Sequence, residues 1–180
     1  MNHPDSRVLL ELDDGSAGPL LRLADDRLTP GQGYGRHTHR DVDVVVVVLS
    51  GSLTHRWERG AVLGAGDVGV LRAGAGLAHD EVAGDDGAHV VQTYLRAADP
   101  GAPPGHEVRP APSGWVDLGR PDARLWLAAP GPGEEVAPPP GVWVVYRDGE
   151  VTVAPGEGTL VGPATVGVWQ VDRTRPAWAD

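Results

Sequence analysis

The stretch "DVDVVVVVLSG", residues 41–51, constrains the fold more than any other. Five consecutive valines suit a pleated strand, where β-branched side chains pack well. Alternation sends one set of valines to one face, and the other face is then apolar as well. Something must cover that second face: another sheet, the other half of the chain or a second subunit. Further short apolar runs recur along the chain. Strands are expected near Val8–Leu12, Leu20–Leu23, Val42–Leu49, Leu53–Trp57, Val68–Leu71 and Val90–Leu95, then near Trp115–Leu118, Arg124–Ala128, Val142–Tyr146, Glu150–Val153 and Val166–Val171. The 26 Gly and 17 Pro residues punctuate these runs, which favours a turn-rich all-β protein over a low-complexity chain. Ser50-Gly51 and Arg147-Asp148-Gly149 read as hairpin turns. No stretch carries helical apolar spacing with caps, so at most a turn or two of helix is expected.

With no Phe and one Met, the core must be built from Val, Leu, Ala and six Trp. Residues 96–114, "RAADPGAPPGHEVRPAPSG", read as a connector poor in core residues. The chain is therefore divided into 1–113 and 114–180, each with five or six strands. A weak likeness between "VVVVVLSGSLTHR" and "VWVVYRDGEVTV" suggests a duplicated β unit.

The net charge of −10, with no basic cluster, argues against direct nucleic-acid or anionic-membrane binding. The absence of cysteine removes disulfides, thiolate metal sites and cysteine nucleophiles. No signal peptide is read at the N-terminus, and Val44–Leu49 is too short to span a bilayer. A soluble, cytoplasmic protein is expected.

Seven histidines stand at 3, 37, 39, 55, 79, 89 and 106. His37 and His39 are two apart, as are His79 and Glu81, and residues two apart on a strand share a face. On neighbouring inner strands these pairs would converge three imidazoles and a carboxylate. That set suits a divalent first-row metal with positions left open for substrate. His89 and His106 follow loop signals and read as surface residues. Asp43 reads either as a carboxylate that orients a ligand imidazole or as a solvated edge group. "AGAG", 73–76, lacks the Lys-Ser/Thr ending of a phosphate loop, and its glycines read as a tight turn before His79.

"HTHRDVDVVVVVLSGSLTHR", then "GDV", then "AGAGLAHDE" resembles the pirin family of the cupin superfamily. "VVQTYLRAADPGAPPGHEV" is similar to the family's segment between its two domains. The resemblance implies two cupin-type β-barrels (a bicupin), the C-terminal one reduced, with metal in the N-terminal barrel only. It places the metal ligands on His37, His39, His79 and Glu81, and gives His55 a surface or supporting place rather than a ligand's. It implies a metal-dependent dioxygenase of the quercetinase type, taking dioxygen and a flavonol-like or other enolisable hydroxy-carbonyl compound. Glu81 would accept a proton in that reaction, in a pocket lined partly by Val45, Val47 and Leu71. The metal would be Fe(II), with Ni, Mn, Cu or Zn as alternatives. The rival readings are a metal-holding regulator that acts through a protein partner, and a cupin biosynthetic enzyme of different chemistry. A homodimer would fit the two-faced valine strand. The chain departs from the family at Asp41, Val42 and Asp43, where an apolar or aromatic residue and then a glutamate are usual, and in its short second half.

Overall fold

The computed structural model describes residues 4–12, 15–58 and 60–174, and every regular element among them is a β-strand. None of the described residues forms a helix long and apolar enough to cross a membrane. The chain forms two compact units. Met1–Glu11 and Leu21–Ala111 make the first, while Leu12–Leu20 joins Pro112–Asp180 in the second.

The first unit contains β1 (Asp5–Glu11), β2 (Leu20–Leu28), β3 (His37–His39), β4 (Val42–Arg56), β5 (Ala61–Gly64), β6 (Val68–Arg72), β7 (Leu77–Arg96) and β8 (Gly105–Arg109). Their sheet runs in the order β1-β2-β7-β4-β6-β8, with β3 added to β7 and β5 to β4. The antiparallel pair β4 and β7 is its spine, in register from Val42 opposite Arg96 to Arg56 opposite Asp80. Val44, Val46 and Val48 pack with Leu53, Leu63, Leu71, Leu77 and Val90 in one cluster. Val45 and Val47 point the other way and are buried too. The valine strand is thus covered on both faces within a single chain, and no second copy is needed to cover it. Each such valine contributes about 1.5–3 kcal/mol by leaving water.

Two expectations do not hold. Ser50-Gly51 is not a hairpin turn: β4 continues through it, and the register with β7 shifts between Val48 and Ser50 and again between Gly51 and Leu53. These are bulges, which bend a strand and raise its twist without ending it. The stretch 96–114 is not only a connector, because β8 lies within it and pairs with β6 from Val68 opposite Arg109 to Arg72 opposite Gly105. An edge strand needs backbone groups rather than a run of apolar side chains, so hydropathy did not reveal it.

The second unit contains β9 (Gly114–Val116), β10 (Ala123–Ala128), β11 (Glu135–Val136), β12 (Gly141–Arg147), β13 (Glu150–Gly156), β14 (Leu160–Val161) and β15 (Thr165–Val171). Five of these form a sheet in the order β13-β12-β15-β10-β9, and β11 pairs with β14. Leu160, Val166 and Val168 form a core against Trp126 and Trp143. The expected turn at 147–149 is present. Arg147 faces Glu150, and Asp148 and Gly149 both have positive φ, at 51° and 83°, as a two-residue hairpin requires.

Candidate metal centre

Strand register builds the centre. β3 lies against β7 with His37 directly opposite His79 and His39 opposite Leu77. The approach to β7 is a tight turn in which the Gly76 N–H donates to the Ala73 carbonyl at 2.8 Å. Gly76 there has φ of 125°, a conformation that an L side chain would strain. On β7 the residues Leu77, His79, Glu81 and Ala83 are buried and those between them are less so. This is the period of two that the sequence suggested.

Three imidazoles meet at the open end of β3. The Nε2 atoms of His37 and His39 are 3.0 Å apart, as are those of His37 and His79. One ring nitrogen from each of the three lies within 4.8 Å of the others. His37 Nδ1 stands 2.8 Å from the Gly35 carbonyl oxygen. A carbonyl only accepts, so Nδ1 carries the proton and Nε2 presents a lone pair to its neighbours. His39 and His79 can donate to it from Nε2, or, with their protons on Nδ1, share a cation with it. A carbonyl behind one imidazole is also the usual support of a metal-bound histidine. The donor set therefore fits a divalent first-row ion.

The protonation preferences agree with that fit. Burial pushes the His79 imidazole down to about 3; His37, His39 and His55 add to the effect and Glu81 opposes it. Burial and the neighbouring His37 also lower His39. Both rings are thus neutral near pH 7, the form that binds a metal.

Glu81 occupies the next inward position on β7 but does not join the 4.8 Å cluster. Its Oε1 lies 2.6 Å from His55 Nε2, and its Oε2 accepts from Gln92 Nε2 at 3.2 Å. The Tyr94 hydroxyl in turn donates to Gln92 Oε1 at 3.0 Å. Burial pushes the Glu81 carboxyl up, but the His55 hydrogen bond and the charges of His55, His79 and His37 outweigh it, so the group stays below the ordinary carboxylate range.

The remaining histidines narrow or correct the sequence reading. His55 is 1% exposed and rests against Glu81, which is the supporting place rather than the surface one. His89 is buried and paired with Asp25. His106, carried inward by β8, stacks on His55 with ring centroids 4.5 Å apart. Burial, with His55 beside it, lowers the His106 imidazole to about 4. The expected pocket lining is also revised. Leu71 packs in the inner cluster with Val44, Val46 and Val48, whereas Val45 and Val47 belong to the opposite face. Asp43 is buried on β4.

Two tyrosines flank the imidazoles. The Tyr94 ring meets His39 edge-on at 5.7 Å, and Tyr34 lies 6.2 Å from His37. The Tyr34 hydroxyl donates to Asp26 Oδ2 at 2.7 Å, and Asp26 is raised above the usual carboxylate range chiefly by burial. Nothing in the local sequence marked Asp26 or Tyr34, because their partnership depends on how β2 is placed in the sheet.

The depressed histidines make stability pH-dependent. Folding holds His79 and His106 below their unfolded value of 6.5, so between 6.5 and their folded values the unfolded chain binds more protons. Stability of the metal-free protein is therefore expected to fall as pH drops from about 6.5 towards 4. The raised Asp26 opposes this. Thermal midpoints measured across that range check it, and a midpoint that rises on acidification contradicts it.

Known proteins share both the sequence pattern and the fold. Residues 11–95 match the family model Pirin. A quercetin 2,3-dioxygenase of Escherichia coli is 31% identical over 94 residues, covering 50% of this chain and 41% of that protein. A pirin-like protein of Caulobacter vibrioides is 30% identical over 101 residues, covering 54% and 43%. The matched stretches thus span less than half the length of these curated relatives. Among solved structures, a bacterial pirin from Escherichia coli in complex with nickel(II) superposes with a TM-score of 0.69 at 20% identity, covering 95% of this chain and 93% of that one. A quercetin 2,3-dioxygenase from Acinetobacter baumannii gives 0.68 at 18% identity, covering 97% and 85%. These structural likenesses establish the all-β cupin fold.

Proposed function

We propose, from the match of residues 11–95 to the Pirin family model, that this chain is a metal-dependent dioxygenase of the quercetinase type. The observation that carries this reading is the convergence of the His37, His39 and His79 Nε2 atoms beside a buried carboxylate. The substrate is a flavonol-like compound, or another with an enolisable hydroxyl beside a carbonyl, and dioxygen is the second substrate. His37, His39 and His79 would hold the ion, and Glu81, held beside them by His55 and Gln92, would complete the set. Fe(II) is the first choice, with Ni, Mn, Cu or Zn as alternatives, since His/Glu sites accept several metals. When bound, the metal lowers the pKa of the coordinated hydroxyl and mediates its reaction with dioxygen.

The chain's own residues do the rest. The Gly35 carbonyl keeps the His37 proton on Nδ1, leaving Nε2 free to ligate. Glu81 accepts the substrate's hydroxyl proton on a carboxylate oxygen. The Tyr34 and Tyr94 rings flank the imidazoles and orient a planar substrate. Val44, Val46 and Leu71 keep the interior behind them dry. The absence of cysteine is compatible with a cytoplasmic setting.

Aerobic incubation of metal-loaded protein with quercetin tests the proposal. Loss of the flavonol absorbance is expected, and His79→Ala is expected to abolish it. No turnover by fully loaded protein across a panel of flavonols would overturn the dioxygenase and leave a metal-holding regulator or a different substrate.

A further inference from the structure

We propose that His55 is a positioning residue of the metal centre, fixing the Glu81 carboxylate beside the three histidines. This deepens the metal-dependent reading and rests on it. The first support is register. His55 on β4 lies directly opposite Glu81 on β7, so the backbone ladder sets their separation, and Nε2 stands 2.6 Å from Oε1. The second is the far side of the carboxylate, where the Gln92 side-chain amide donates to Oε2 at 3.2 Å. Glu81 is therefore gripped from two sides by groups that do not belong to the three-imidazole cluster.

The third support is that the His55 ring is itself held in place. His106 stacks on it at 4.5 Å with an angle of 22° between the rings. Gly69 borders the stack: a Cβ there would meet His106 Nε2 at 3.5 Å and His55 Cε1 at 3.8 Å, both ordinary contacts. The neighbouring Leu53 and Leu63 are fully buried and apolar. If position 55 only filled space, leucine would serve better, because a buried polar ring incurs a desolvation cost. Partners that orient a ligating group commonly change metal affinity when lost.

Two substitutions therefore order oppositely under the two explanations. His55→Gln keeps an N–H donor of similar reach, and His55→Leu keeps only the volume. Competition of the protein with a chelating dye for Ni(II) reads the affinity, and the thermal midpoint without metal reads the fold. His55→Leu is expected to weaken Ni(II) about 10- to 100-fold, as loss of such a partner usually does, with His55→Gln staying near the unsubstituted protein. In a Glu81→Ala background, His55→Leu is expected to have no further effect, because the acceptor it holds is gone. His55→Asn, which keeps a polar group but falls short of Oε1, replaces the leucine variant if that one does not fold. Equal affinities for Leu and Gln, or an undiminished effect of His55→Leu in the Glu81→Ala background, would overturn the positioning role alone. Failure of the unsubstituted protein to bind Ni(II) would instead overturn the metal reading on which it rests.

Discussion

Replacing His37 and His39 together by alanine is expected to remove the metal and leave the fold standing. The unsubstituted protein should carry about one first-row ion per chain by elemental analysis after loading with Fe, Ni or Mn, as one His-rich site implies. The double variant should carry none, because His79 is then the only imidazole left of the three that converge. Its stability without metal should change little. Both residues lie on the three-residue β3, are only partly buried and are absent from the valine–leucine cluster. Substitutions outside such a core usually shift stability by no more than about 0.5 kcal/mol. A double variant that keeps its metal, or an unsubstituted chain that takes none up, contradicts the assignment.

The largest loss of stability is expected from Gly51→Val. Gly51 sits at the bulge of β4 with φ of 70°, where a β-branched residue is strongly strained. A Cβ there would also stand 2.1 Å from the Gly87 carbonyl oxygen and 2.8 Å from its carbon, both backbone atoms of β7. Strain at such a φ costs about 1–3 kcal/mol, and forcing apart packed backbone adds about 1–3 kcal/mol. The sum is a large share of the roughly 5–15 kcal/mol that holds a typical domain together. The consequence reaches the site, because residues beyond the bulge set Leu53 against Ala83 and His55 against Glu81. Gly101→Val is the control. Its φ is 81° and no atom lies within 4 Å of where a Cβ would stand, so it reports backbone strain without the collision. Denaturant midpoints should place Gly51→Val well below Gly101→Val; equal midpoints would show that the close approach of β4 to β7 does not matter.

Much of this protein is written locally. The pairs His37/His39 and His79/Glu81 could be placed on common faces because a strand's side chains alternate with a fixed period, whatever the strand's partners. The all-β class followed for the same reason, from apolar runs too short for helices between Gly and Pro signals. The hairpin at Asp148-Gly149 was legible because two adjacent positive φ angles favour those residue types. Ser50-Gly51 carried a similar signal and misled, since a glycine with positive φ serves a bulge as well as a turn.

Which distant residues share a rung of the sheet was settled only in three dimensions. No local pattern foretold that His37 would face His79, or that β8 would carry His106 onto the His55 ring. Nor did any show that Glu81 would rest against His55 and Gln92, outside the three-imidazole cluster. Those facts depend on register, and register here is shifted twice by bulges in β4. Side-chain periodicity is a property of one strand and is read locally. Pairing is a property of two strands far apart in the chain, and it is fixed only when the whole sheet buries its apolar faces together.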